Sequence, residues 1–219
     1  MKALEFLTNL NNVVAEANKI YEHKYDLNYF FEYDDLYPLG CAIEDLFPNC
    51  SVNSGCQSLT IIDDNDTRVL KITRENLNIL NDFYDALPDI YTPFFAPVQE
   101  EASFDVGNFT YYIFSQIVVD CDKEGASSNV YKPSWQNKSS LDADDQLLAT
   151  IGEELDSLHP EDAINKFLST ILEILVNKPQ FFHKLRGDFH SGNWGMSYGH
   201  PVIFDPFYII GDDWPDEEL

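Results

Sequence analysis

Asp188, Asn193 and Asp205 fall within one short stretch, His183 to Phe207, with the sequence HKLRGDFHSGNWGMSYGHPVIFDPF. All three carry side-chain oxygens, the ligands that hard cations take. Mg²⁺ commonly keeps several waters and completes its shell with substrate phosphates, so it asks few ligands of the protein. A carboxylate left off such a metal can accept the proton of a hydroxyl nucleophile. Between Asn193 and Asp205, the runs Trp-Gly-Met-Ser, Tyr-Gly-His-Pro and Val-Ile-Phe read as strand, turn and strand. That hairpin would bring Asn193 and Asp205 to neighbouring strand ends, close enough to share a metal. Each half has a plainer reading. Asp-Phe-His-Ser-Gly-Asn is rich in turn formers, and Asp205-Pro206 is a simple strand terminator. Both together, joined by a hairpin and preceded by a long helix, favour metal and phosphate chemistry.

This constellation resembles the catalytic core of the protein-kinase-like phosphotransferases. Their catalytic loop places an Asn five residues after the catalytic Asp, as Asp188 and Asn193 stand here. Their metal-binding Asp follows a short hairpin, and Asp205-Pro206-Phe207 stands where protein kinases carry Asp-Phe-Gly. The residue two before the catalytic Asp, usually His, is Arg186. More narrowly, Asp-Phe-His-Ser-Gly-Asn followed by Asp-Pro is similar to the early protein kinases of autographivirus (T-seven-like) bacteriophages. The resemblance implies an α+β, two-lobed protein-kinase-like fold with a minimal, truncated C-lobe, since the sequence given ends at Leu219. It implies Asp188 as the catalytic residue that accepts or aligns the hydroxyl proton. Asn193 and Asp205 would be the Mg²⁺ ligands, with ATP as the phosphoryl donor.

The elements needed to position these residues can be read upstream. Residues 49–73 take the period of strands, with Ser58–Ile62 and Thr67–Thr73 flanking a polar turn. Lys71, in Val-Leu-Lys-Ile, has the setting of the kinase third-strand Lys that contacts the α- and β-phosphates. The bland reading is one basic residue on a half-exposed strand. Gly55 is the one glycine placed for a phosphate-covering turn, and no G-x-G-x-x-G accompanies it. Glu75–Leu87 reads as a helix with Leu77, Leu80, Phe83, Tyr84 and Leu87 inward. Glu75, Asp82 and Asp85 are its acids, none an obvious partner for Lys71. Ala102–Phe104 and Phe109–Val119 form a strand pair. Val118–Asp122 is the expected hinge against which an adenine would lie.

The ends complete the plan. Residues 2–24 read as an amphipathic helix with Leu4, Leu7, Val13, Val14, Ala17 and Ile20 near one face. Residues 25–37 are crowded with aromatics and acids, which either pack this helix or form a partner-binding surface. Residues 123–141, rich in Gly, Ser, Asn and Lys, read as a linker or insertion. Helices follow over 142–158 and 160–177, the second started by Pro160 and Asp162. The expected domains are therefore 1–48, an N-terminal helical and aromatic extension, and 49–122, a sheet-rich nucleotide-binding lobe. The 123–141 linker leads to 142–219, a helical lobe with the catalytic loop and hairpin.

Composition bounds the partners. The chain carries 38 acidic against 13 Lys and Arg residues, a formal charge of −25. Such a chain repels nucleic-acid phosphates, so direct nucleic-acid binding is not expected. Four cysteines without C-x-x-C spacing, and no leader-like start, suit free thiols in a reducing cytoplasm. No apolar run is long enough to span a membrane. With the resemblance, these point to host-cell cytoplasm and to host protein substrates, transcription or RNA-processing proteins among them. The expected function is an ATP-dependent Ser/Thr protein kinase that helps shut off host functions. Two alternatives stay open. One is a kinase-like acidic protein that inhibits a host nucleic-acid-binding factor by direct binding. The other is a small-molecule phosphotransferase of the aminoglycoside-kinase type, which shares Gly187-Asp188-x-His190-x-x-Asn193.

Overall fold

The computed structural model describes residues 1–21, 24–33, 35–55, 58–65, 67–127 and 141–210. The fold is α+β, and the chain divides into two compact units. Met1–Asn78 joins Val98–Val118 in the first, and Ile79–Pro97 joins Val119–Leu219 in the second.

The first unit carries α1 (Ala3–Tyr21), α2 (Leu27–Glu32) and α3 (Tyr37–Leu46). Its strands are β1 (Cys50–Gly55), β2 (Ser58–Asp63), β3 (Arg68–Thr73), β4 (Gln99–Val106) and β5 (Phe109–Ile117). They form one antiparallel sheet in the order β1-β2-β3-β5-β4. β-branched and aromatic residues suit these half-buried strands. Leu59, Ile61, Ile72, Tyr111 and Ile113 pack with Phe6, Val13 and Ala17 of α1, with Phe30 and Phe31 of α2, and with Leu39 and Ile43 of α3. Residues 1–48 thus share one core with the sheet.

Helix α1 lies within the expected span, but its buried face differs from expectation. Leu4 is 76% exposed and Ile20 48% exposed, whereas Phe6, Val13 and Ala17 are buried. At 100° per residue, Leu4 stands half a turn out of phase with Val13. Phe6, not Leu4, fixes the buried face because it has the larger apolar area to remove from water.

In the second unit α4 (Asn78–Tyr84, its first residue still in unit one) is shorter than the expected 75–87 span. Leu77, Leu80, Phe83, Tyr84 and Leu87 are nevertheless all buried. A 3-10 turn at Thr92–Phe94 leads to a bridge between Phe95 and Ile203. Helix α5 (Asp145–Leu155) packs on α6 (Pro160–Asn177), whose apolar face buries Ile164, Phe167, Leu168, Ile171 and Leu175. The start of α5 is three residues later than expected. Asp144 is its N-cap, its Oδ1 accepting the Leu147 N–H at 3.0 Å, so Asp142 lies outside the helix. Pro160 at the first turn of α6, with Glu161 and Asp162 beside it, suits the positive end of the helix.

The short elements α7 (Pro179–Phe182), β6 (Leu185–Gly187) and β9 (Phe207–Ile209) have no counterpart in the sequence reading. The expected hairpin is present as β7 (Trp194–Ser197) and β8 (His200–Ile203). Tyr198 (φ 52°) and Gly199 (φ 83°) turn it, the two positive φ values of a type I′ hairpin loop. Cys41, Cys50 and Cys121 are free thiols, while Cys56 lies outside the described residues. Among the described residues no helix is long and apolar enough to cross a membrane.

Candidate active site

The site is built where two antiparallel pairs meet within the second unit. Strand β6 ends at Gly187, directly before Asp188, and pairs with β9, which begins two residues after Asp205. The Asp188 N–H donates to the Pro206 carbonyl at 2.9 Å. The Asn193 carbonyl accepts from the Phe204 N–H at 3.0 Å and from the Asp205 N–H at 3.4 Å. Backbone hydrogen bonding therefore gathers all three residues into one constellation. Such bonds fix main-chain position closely because buried N–H and C=O groups have to be paired.

Side chains refine the arrangement. The Asn193 amide nitrogen donates to Asp188 Oδ2 and to the Asp188 carbonyl, both at 2.9 Å. The Asn193 amide oxygen is the half of that side chain these bonds do not use. His190 accepts the Gly192 N–H on Nδ1 at 2.9 Å, which leaves the ring proton of the neutral imidazole on Nε2. Nε2 lies 3.5 Å from Asp188 Oδ1. His190 thus faces the second carboxylate oxygen and braces the loop.

Below the loop sits an aromatic floor. Phe189, next to Asp188 in sequence, and Phe207, two residues after Asp205, are buried with ring centroids 5.7 Å apart. Phe83 packs on Phe207 at 4.6 Å and on Phe181 at 5.8 Å, and Phe95 packs on Phe189 at 6.1 Å. Edge-on aromatic contacts of this kind lock the two loop segments to α4, α7 and the Phe95 bridge. The hairpin base is tied as tightly. Asp120 and Met196 exchange backbone hydrogen bonds at 2.8 and 2.9 Å. A Cβ on Gly195 would stand 2.3 Å from the Asp120 carbonyl oxygen, so only glycine fits there.

The electrostatics mark Asp188 as the unusual acid. Burial raises its pKa above the ordinary carboxylate value. His190 and the Asn193 hydrogen bond pull it down, while Asp205 and Asp142 push it up. Asp142 reaches the site because Phe189 N–H donates to the Leu141 carbonyl (3.3 Å) and Asp144 N–H to the Phe189 carbonyl (2.9 Å). It holds a left-handed backbone, φ 45°. Tyr84, on α4, has a buried hydroxyl without a hydrogen-bond partner. Burial and then Asp205 raise its pKa, so the phenol stays protonated. Lys123 donates to the Ser191 carbonyl at 2.6 Å and lies over the Trp194 ring at 4.3 Å.

These additions escaped the sequence. Asp142 read as the first residue of a helix, Lys123 as part of a linker, and Tyr84 as core. Arg186, which stands two residues before Asp188, donates to the carbonyls of Phe182 (2.7 Å) and Leu185 (3.1 Å).

The other two candidates lie in the first unit. Lys71 is half-buried on β3, opposite Thr60 of β2 and Phe114 of β5. Gly55 ends β1 and pairs with Ser58, and the two residues between them lie outside the described residues. The expected hinge straddles the boundary, Val118 ending a segment of the first unit and Val119 opening one of the second.

The donor set fits Mg²⁺. Asn193 and Asp205 offer oxygens only, and two protein ligands suffice for an ion that keeps waters and phosphate oxygens. Among the described residues no group of three His, Cys, Asp or Glu side chains is set to hold a metal.

Comparison of the chain with protein families, with curated proteins and with solved structures gives no match.

Proposed function

We propose that the chain is an ATP- and Mg²⁺-dependent phosphotransferase of protein-kinase-like fold acting on protein hydroxyls. One observation carries the reading: the backbone and amide network that holds Asp188, Asn193 and Asp205 together. In the proposal Asn193 and Asp205 hold Mg²⁺, which supplies charge neutralisation for the phosphoryl group. Asp188 orients the incoming Ser or Thr hydroxyl and takes its proton. Its raised pKa is useful here, because a base works best when its pKa nears the working pH. His190 and Asn193 fix the carboxylate, and the resemblance assigns contact with the ATP phosphates to Lys71. The resemblance to phage kinases extends the proposal to host proteins as substrates, in the host cytoplasm.

The direct test is incubation with Mg²⁺ and γ-labelled ATP, alone and with bacterial lysate. Label is expected on serine or threonine of protein and is expected to vanish with a chelator. A folded chain that moves no label under these conditions overturns the reading.

The formal charge of −25 favours a second reading, in which the acidic surface itself blocks a basic site on a host factor. The two readings part at Asp188, as argued in the Discussion.

A pH profile offers a finer check. Asp188 has to be ionised to act as base, so its raised pKa sets the acid limb of kcat/KM above that of an ordinary Asp. Asp142 contributes to that rise. Asp142→Asn keeps a residue that tolerates left-handed backbone and removes the charge. The acid limb is expected to move to lower pH with the plateau unchanged. A limb that stays in place dissociates Asp142 from Asp188.

A further inference from the structure

Four tyrosines recur every fourth residue at the start of the chain: Tyr25, Tyr29, Tyr33 and Tyr37. That spacing puts neighbours on one helical face. Around α2 it produces a continuous stack. Tyr25 and Tyr29 lie parallel, with centroids 3.6 Å apart and planes 6° apart, and Tyr29 meets Tyr33 at 4.7 Å. The inner end is anchored, since Tyr25 and Tyr29 both pack edge-on against the buried Phe30. The Tyr25 backbone N–H donates to Asn18 Oδ1 of α1, and its carbonyl accepts from Asn18 Nδ2. The outer end is open: Tyr33 is 63% exposed. Ordinary core packing accounts for Phe30 and Phe31, but not for a ring left in water at the end of a stack.

The charges around this stack have one dominant sign. Asp26 caps α2, Glu32 is exposed at its end, and Asp35 acts electrostatically on Tyr29. Lys24 is the one basic residue between positions 24 and 37. An aromatic face edged with carboxylates selects a planar, weakly hydrated cation. Arginine meets both demands, stacking on the ring while its fork of N–H donors reaches carboxylates. The strongly hydrated ammonium of lysine does this less well. Rigid tyrosines also contribute contact area at low entropy cost, which is why they are enriched in binding surfaces.

We propose that the Tyr25–Tyr29–Tyr33 stack, with Glu32 and Asp35, is a docking surface for an arginine-bearing segment of a partner protein. The occupant is set by charge complementarity and ring exposure. The inference goes beyond the phosphotransfer reading and does not depend on it.

The experiment titrates the full-length protein with a fluorescent Arg-Gly-Ser repeat peptide and with its Lys-Gly-Ser counterpart, followed by anisotropy at low salt. The Arg peptide is expected to bind about fivefold more tightly, a margin typical of one partly exposed cation–π contact. Tyr33→Ala is expected to remove that margin and leave the Lys peptide unchanged. Tyr33→Phe is expected to keep it. Both substitutions leave the net charge at its native value, so any loss is due to the ring and not the general acidic field. Tyr33 is exposed, and far-ultraviolet circular dichroism verifies the fold of each variant. Three outcomes overturn the proposal: no binding of either peptide, equal binding of both, or an Arg preference that survives Tyr33→Ala.

Discussion

Asp205→Ala is expected to lower phosphoryl transfer by about 100-fold or more while the protein stays folded. The proposed metal site has two protein ligands, so losing the only charged one removes most of what holds the ion. The fold should scarcely notice. The Asp205 backbone N–H donates to the Asn193 carbonyl, and alanine retains that bond. Its carboxylate lies within the electrostatic reach of Asp188 and raises that residue's pKa. Removing it relieves a like-charge repulsion and leaves the Tyr84 phenol in a less negative setting. The melting temperature is expected to shift by less than about 2 °C, in line with a half-exposed substitution of about 0.5 kcal/mol or less. The decisive measurement pairs calorimetry with γ-label transfer. Undiminished transfer by a folded Asp205→Ala protein removes Asp205 from the metal site.

The parts of this arrangement that were legible in the sequence are those that local chemistry dictates. The hairpin between Asn193 and Asp205 was visible because Tyr198-Gly199 sits between two short apolar runs, and the same two residues adopt the positive φ values. Helix α6 was visible from its apolar spacing and its Pro160 start. What escaped was non-local. Nothing near Asp142 says that Leu141 and Asp144 will bond to Phe189, dozens of residues later. Strand β6 pairs with β9 over three residues only, too short for a period to register. The Phe83–Phe207 contact likewise joins an inward helix residue to the Asp-Pro-Phe motif, segments far apart in sequence. At α1 the failure was one of phase. Several apolar residues compete for the face, and Phe6 displaced Leu4. Residues 128–140 of the expected linker lie outside the described residues.

Asp188→Asn separates the enzyme from an acidic blocker. As an enzyme, the chain is expected to lose transfer by about 10²- to 10⁴-fold, because the substitution takes away the proton acceptor. The shape is nearly retained. The asparagine oxygen can still accept from Asn193 Nδ2, and the Asp188 backbone N–H still donates to Pro206. Stability follows from the sign of the pKa shift. The folded protein keeps its Asp188 proton to higher pH than the unfolded chain does. Asp188 therefore favours folding below the ordinary carboxylate pKa, and it opposes folding as pH rises through the elevated folded value. At neutral pH the asparagine variant is expected to be as stable as the native protein or slightly more so, which keeps a loss of activity from being confused with unfolding. As a blocker, the chain would keep its effect on a host pathway through Asp188→Asn, since one charge among a formal −25 scarcely alters the field. Its effect would instead fade with added salt and with neutralisation of exposed acids such as Asp145 and Glu161. The enzyme reading is favoured because a blocker has no use for an amide that holds one carboxylate and shares its own backbone carbonyl with the next. A stable Asp188→Asn protein that still acts on its host target at full strength reverses that choice.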